Sequence, residues 1–258
     1  MDITSLQNPR VKQLVRLRER RVREEENLIL VEGVYEIETA MSSGLAPVEL
    51  YLAPELAKDR VPERAISQPT TVTANVFQKI SYRDNPDGWL AVFPTPKKSL
   101  GEFRVSGLPF IIVAESIEKP GNLGAILRTA DATGVTALFV CDRRVDIYNP
   151  NVIRASRGTL FTVPVFQVSN VEALEWLRSN RISILAATPS AQVNYSDADL
   201  RQSVAVAVGT EDEGLSDFWL TNADLKVVIP MKGKVNSLNV SISTAVIAYE
   251  VIRQRERS

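Results

Sequence analysis

A chain of 258 residues, 45% apolar and 24% charged with a net charge of −1, has material for one large or two modest globular domains. It contains no histidine and one cysteine, Cys141, which excludes Ser-His-Asp and Cys-His machinery, a histidine general base, most zinc catalysis and any intramolecular disulfide. Neutral overall charge gives no sign of nucleic acid, and no apolar run reaches the roughly 18–20 residues of a membrane span. The Met-Asp-Ile-Thr-Ser start lacks the basic-then-apolar pattern of a secretory signal, so a cytoplasmic protein with no membrane association and no metal is expected.

Residues 8–26 predict a helix with Val11, Leu14 and Val15 on one face. Seven of the 14 basic residues in the first hundred positions lie along it: Arg10, Lys12, Arg16, Arg18, Arg20, Arg21 and Arg23. Two readings fit this stripe: a phosphate-binding surface, or a solvated face whose cations pair with Glu19 and the acids at 24–26. A strand follows at 28–31, a helix at 35–42 stopped near Gly44, and strands at 48–52 and 89–93, the last after the turn-rich 84–88. Composition shifts abruptly at 94–101. Residues 1–95 are therefore expected to form a small α/β domain, 96–107 a linker and 108–258 a second domain.

In the second domain apolar runs at 110–114, 137–140, 182–187, 204–208 and 226–229 alternate with helical patterns at 122–133, 171–179, 216–221 and 238–253. Continuous apolar strands between helices predict a parallel sheet covered on both faces. Cys141, ending one such run, reads as a buried strand-end thiol. Ligands of such sheets bind beyond the carboxyl ends of the strands, and three polar segments stand there.

After the first strand the chain turns at Pro120-Gly121 and opens a helix at Asn122, a natural N-cap. Arg128 follows six residues on, so both side chains are expected on one face of the helix start. Ala125, Ile126, Leu127 and Ala130 surround the arginine, and a cation in so apolar a helix calls for a partner. The strand at 204–208 runs into Gly209-Thr-Glu211-Asp-Glu-Gly214-Leu215, where glycines bracket acids. This suits a tight loop facing a cationic or hydroxyl-bearing ligand, or simply an acidic helix start. The strand at 226–229 ends in Pro230-Met231, and Ser237, Asn239 and Ser241 then precede an apolar helix. Capping alone does not require three polar residues.

In this order and spacing, N-x-G-x-I-x-R at 122–128, G-x-E-x-x-G-L at 209–215 and I-P-M at 229–231 with S-L-N at 237–239 resemble the three motifs of the SpoU (TrmH) family of RNA methyltransferases, in the SPOUT superfamily. The resemblance covers residues 108–255. It implies a parallel sheet tied in a trefoil knot, a topology that general rules would not anticipate, and methylation of a ribose 2′-hydroxyl. It implies S-adenosyl-L-methionine as cofactor, held by Thr188, Gly209, Ile229, Met231, Ser237 and Leu238. Asn122, Arg128, Ser237 and Asn239 would form the catalytic group, and Glu211 would organise its loops. It further implies a homodimer joined through the final helix, in which Asn122 and Arg128 face a cofactor pocket, their own or the partner's. Residues 3–10, 30–33 and 81–88 resemble the small ribosomal-protein-like RNA-binding domain of many members. That favours the phosphate-binding reading of the stripe and ribosomal RNA as substrate. A tRNA 2′-O-methyltransferase, an antibiotic-resistance rRNA methylase and a non-catalytic RNA-binding paralogue are the alternatives. Guanidinium is a poor base, so the role expected of Arg128 is electrostatic support of the developing 2′-alkoxide.

Overall fold

The computed structural model describes residues 2–57, 68–142, 144–210 and 212–256. The chain divides into two units, Met1–Lys97 with Asp146–Thr162, and Lys98–Val145 with Val163–Ser258.

The N-terminal stripe is two helices rather than one. Asn8 caps α1 (Pro9–Arg16) by accepting the Arg10 N–H, and α2 (Arg20–Glu26) starts after an extended Glu19. Leu17 and Val22 both belong to the core of this unit. On one straight helix they would point about 140° apart, so a break between them lets both be buried. Arg23 fills that break, donating to the carbonyls of Leu17 at 2.8 Å and Arg18 at 2.6 Å.

Strand β1 (Leu28–Glu32) leads into α3 (Val34–Ser42), then β2 (Glu49–Leu52), α4 (Pro54–Ala57), β3 (Thr70–Thr71), α5 (Ala74–Ile80) and β4 (Trp89–Pro94). The four strands lie in the order β1-β4-β2-β3, with β4 antiparallel to both neighbours. Leu30, Leu90 and Val92 pack with Leu14, Val76, Phe77 and Ile80 from the helices.

The second unit begins within the expected linker. Leu100–Glu102 forms a 3-10 turn, and Phe103 sits 4.9 Å from Phe166 and 5.7 Å from Trp176, ring centre to ring centre. Two apolar residues in a polar stretch are enough to dock it. The chain continues through β5 (Phe110–Glu115), α6 (Pro120–Ala132) and β6 (Ala137–Cys141). Two helices, α7 (Pro150–Ser156) and α8 (Thr159–Thr162), then fall within the first unit, not with the C-terminal half as the sequence pattern suggests. The chain resumes in the second unit with β7 (Val165–Val168), α9 (Asn170–Ser179), β8 (Ser183–Ala187), β9 (Val193–Asn194), β10 (Val204–Val208), α10 (Asp217–Asn222), β11 (Leu225–Val228) and α11 (Val240–Arg255).

These seven strands form the parallel sheet that the apolar runs predict, ordered β7-β6-β5-β10-β8-β11-β9. Only the short edge strands β7 and β9 lack an apolar run that announces them. The central strands β5, β6 and β10 are buried along their whole length, as a sheet covered on both faces requires. Strand order reverses beside β5, so the carboxyl ends of β5 and β10 flank the switch point where such sheets hold ligands. No helix of the described residues is long and apolar enough to cross a membrane.

Candidate functional site

Beyond the carboxyl ends of β8, β10 and β11 lies a cavity of about 670 Å³. Thr188 follows β8, Gly209 follows β10 and Ile229 follows β11; Met231, Ser237 and Leu238 come from the loop before α11. All six line this one cavity. The structure thus gathers every residue singled out for cofactor binding from four separate stretches of chain.

Gly209 cannot be another residue here. A Cβ at this position would lie 2.0 Å from the Gly214 carbonyl oxygen and 2.4 Å from the Leu215 nitrogen. The loop is pinched shut by paired backbone bonds, Thr210 N–H to Gly214 O at 3.0 Å and Gly214 N–H to Thr210 O at 3.2 Å, with Gly214 at φ +72°. Asp212 and Glu213 stand on the cavity wall. Glu211 lies outside the described residues.

The far end of that loop is anchored from below by a group that no motif marks. Glu115, 3% exposed at the end of β5, accepts the Ser216 N–H at 2.8 Å, the Ser216 hydroxyl at 2.6 Å and the Asn170 amide at 2.9 Å. Asn170 in turn accepts the Trp219 indole N–H at 2.9 Å. An acid closing an otherwise apolar strand is the signal for it in the sequence. Cys141 ends the neighbouring strand as the expected buried thiol, and burial, then the Glu115 charge, push it well above the usual thiol range.

Helix α6 begins two residues earlier than expected. Pro120 takes the first helical position after an extended Lys119, so Asn122 lies inside the first turn and is not the cap. Its side chain reaches across to another motif instead, Asn122 Oδ1 accepting the Asn239 side-chain amide at 3.2 Å. Asn239 also caps α11, its Oδ1 accepting the Ser241 N–H at 3.0 Å and the Ser241 hydroxyl at 2.6 Å. Ser237 is exposed on the cavity rim, where its hydroxyl reaches Asn236 at 3.4 Å. Asn122 also lines a recess of about 120 Å³ that shares Thr210, Asp212, Glu213 and Val240 with the larger cavity. Arg144 borders this recess and ion-pairs with Glu118.

Arg128 departs from the expectation. Six residues along a helix is a rotation that leaves it about 120° away from Asn122, and it lines neither cavity. The apolar neighbours Ile126, Leu127 and Ala130 point inward, while Arg128 is exposed and, among the described residues, makes no hydrogen bond or ion pair. It needs no buried partner because it is on the solvent side.

Two family models match. The SpoU rRNA methylase family covers residues 109–249, and the MRM3-like substrate binding domain covers residues 8–91. The chain belongs to the SpoU rRNA methylase family. An uncharacterised tRNA/rRNA methyltransferase of Synechocystis is 32% identical, the match covering 98% of this chain and 94% of that protein. A crystal structure of an RNA 2′-O ribose methyltransferase superposes with a TM-score of 0.90 at 41% identity, covering 99% of this chain and 100% of the other. The S-adenosylmethionine-bound rRNA methyltransferase of Sinorhizobium meliloti superposes with a TM-score of 0.88 at 26% identity, covering 98% and 97%.

In this SpoU family chain the basic stripe divides by what each cation already holds. Arg23 is 4% exposed, bound to the Leu17 and Arg18 carbonyls and ion-paired with Asp146. It is removed from the RNA-facing set: its guanidinium is committed to the fold. Arg10 is held by Glu49 and Tyr51, and Arg18 donates to the carbonyls of Lys79 and Ser81 while lying 5.0 Å from the centre of the Tyr82 ring. Arg20 and Arg21 pair with Glu24 and Glu25 one turn on, as the solvated-face reading has it. Lys12 and Arg16 are exposed and, among the described residues, unpaired. The segments at 30–33 and 81–88 meet each other: Glu32 accepts the Ser81 hydroxyl at 2.6 Å and the Tyr82 N–H at 2.7 Å, and Arg83 donates to the Glu32 carbonyl at 2.6 Å. Burial raises the Glu32 carboxyl, against the pull of these donors. These segments hold the unit together.

Proposed function

We propose that this protein methylates a ribose 2′-hydroxyl of RNA, ribosomal RNA being the substrate, with S-adenosylmethionine as methyl donor. The observation that carries the reading is the convergence of Thr188, Gly209, Ile229, Met231, Ser237 and Leu238 on one cavity beside the recess that holds Asn122. A volume of about 670 Å³ falls within the roughly 300–1,000 Å³ of small-molecule sites. The acids Asp212 and Glu213 on the cavity wall suit a cationic ligand. The donor, when bound, supplies a methyl group on a sulfonium centre. The protein has to align the ribose oxygen and favour loss of its proton.

Without histidine, that electrostatic role falls to Arg128, whose fixed charge supports a developing alkoxide. Asn122 and Asn239, already joined, orient the ribose, and Ser237, exposed on the rim, passes the hydroxyl proton on to solvent water. Glu211 organises the loop that carries it. Since Arg128 faces away from the cavity of its own chain, it serves the cavity of a second subunit. The exposed Ile242 and Tyr249 of α11 supply apolar surface for that homodimer. The trefoil knot belongs to the same reading, as does a cytoplasmic site of action. Residues 1–95, with 146–162 that fold in the same unit, select the RNA, and the rest of 108–258 carries the chemistry. Tritiated methyl transfer to purified rRNA and tRNA, followed by mapping of 2′-O-methyl positions in cells with and without the gene, tests this reading. Label on bases, or on no RNA at all, overturns it.

A further inference from the structure

Five of the seven stripe cations are engaged by the protein, so the RNA-binding part of the N-terminal unit has to extend beyond them. One exposed aromatic group there has the chemistry for it. Tyr35, in the first turn of α3, keeps 52% of its surface in solvent, and the Arg157 guanidinium carbon lies 4.6 Å from the centre of its ring. The arginine comes from a distant stretch, the C-cap of α7, where it holds a left-handed φ of 54°. Its mount is rigid. Gly158, at φ +82°, runs so close to α3 that a Cβ there would lie 2.9 Å from Thr39 Cβ. The Thr39 hydroxyl donates back to the Tyr35 carbonyl at 2.7 Å. Arg154, one turn earlier on α7, is exposed as well, and among the described residues neither Arg154 nor Arg157 forms an ion pair.

An aromatic ring in solvent, a guanidinium over it and a second unneutralised cation beside it form a combination suited to unpaired nucleic acid. Splayed-out bases stack on Tyr rings and Arg planes, whereas the bases of a duplex are already stacked. Two unpaired cations favour a polyanion over a protein surface. We propose that Tyr35 and Arg157 form a stacking platform for an unpaired RNA base, with Arg154 holding the adjoining phosphate. The proposal rests on the RNA-binding reading of this unit and gives that unit a single-strand contact that the basic stripe does not provide.

Fluorescence anisotropy on the full chain tests it, with a labelled mixed-sequence single strand of about 12 nucleotides and its duplex form as probes. Tyr35→Ala should weaken single-strand binding by about tenfold, while Tyr35→Phe stays near wild type. Arg157→Asn, which tolerates the left-handed backbone, should give a comparable loss. Duplex binding and the melting temperature should be unchanged by all three, the latter showing that the fold is intact. Single-strand binding by Tyr35→Ala equal to wild type, or an equal loss on duplex, overturns the platform. If wild-type protein binds neither probe, the RNA-binding reading of the unit falls and the platform falls with it.

Discussion

The side-chain amide of Asn239 reaches the Oδ1 of Asn122 at 3.2 Å, joining two motif residues 117 positions apart. The same Asn239 caps α11 through its oxygen, so one side chain has two separable roles. Asn239→Asp keeps the oxygen and loses the donor. It should hold the melting temperature near wild type while methyl transfer falls sharply. Asn239→Ala should lose the transfer and also about 1 kcal/mol of stability. Thermal unfolding with a tritium transfer assay separates the two; equal melting losses in both variants would show that the cap alone matters.

Arg128→Ala removes an exposed cation that, among the described residues, has no partner. Stability and cofactor affinity should be nearly unchanged, while turnover drops by roughly 10²–10³ if the guanidinium supports the developing alkoxide. Calorimetric titration of the cofactor beside single-turnover kinetics makes the comparison. A collapse of cofactor binding with turnover retained would remove Arg128 from its proposed role.

Glu115 accepts three donors beneath the loop that walls the cavity. Glu115→Ala strands the Ser216 donors and the Asn170 amide, a cost of about 1–3 kcal/mol for each buried group left unmade. The loop should loosen, raising KM for the cofactor more than it lowers kcat. A variant with unaltered KM would show that the cavity does not depend on this anchor.

The stripe yields opposite expectations for neighbouring arginines. Lys12→Ala with Arg16→Ala should weaken RNA binding and lower the salt slope by roughly one unit for each charge removed, leaving the fold intact. Arg23→Ala should instead cost about 3–5 kcal/mol of stability, because it leaves Asp146 and two carbonyls without their buried partner. Urea unfolding and salt-dependent binding, measured on both, decide the division.

Cys141 carries a pH expectation. Its thiol is pushed up in the fold, so above about pH 8.5 the unfolded chain ionises where the folded one does not. This site contributes stability below that pH, and the contribution is lost as pH rises. Cys141→Ala should lose stability less steeply than wild type between neutral pH and pH 10 in urea titrations, and iodoacetamide should label wild type only on unfolding.

The apolar runs located the five main strands of the parallel sheet, because a strand buried on both faces has to be apolar along its whole length. The motif loops also lie where the strand pattern puts them, at strand carboxyl ends, since backbone turns at Gly209 and Pro230 are dictated locally. Side-chain commitments were not legible in the same way. Seven basic residues at 10–23 look alike in sequence, yet Arg23 is consumed by an acid 123 residues away. Asn122 reads as a cap until Pro120 is seen to start the helix, and Arg128 reads as its companion until the helix turns it to the other side.

By itself the sequence determined the α/β class and the absence of histidine, which follow from local pattern and composition, while six residues that line the cavity came from its resemblance to the SpoU family. Only the tertiary structure decided which cations remain free, that Asn122 and Asn239 meet, that Glu115 anchors the loop, and that residues 146–162 fold with the N-terminal unit. Hydrophobic periodicity is a short-range property of the chain, whereas the satisfaction of a buried charge or amide depends on whichever distant group the fold brings within about 3 Å of it.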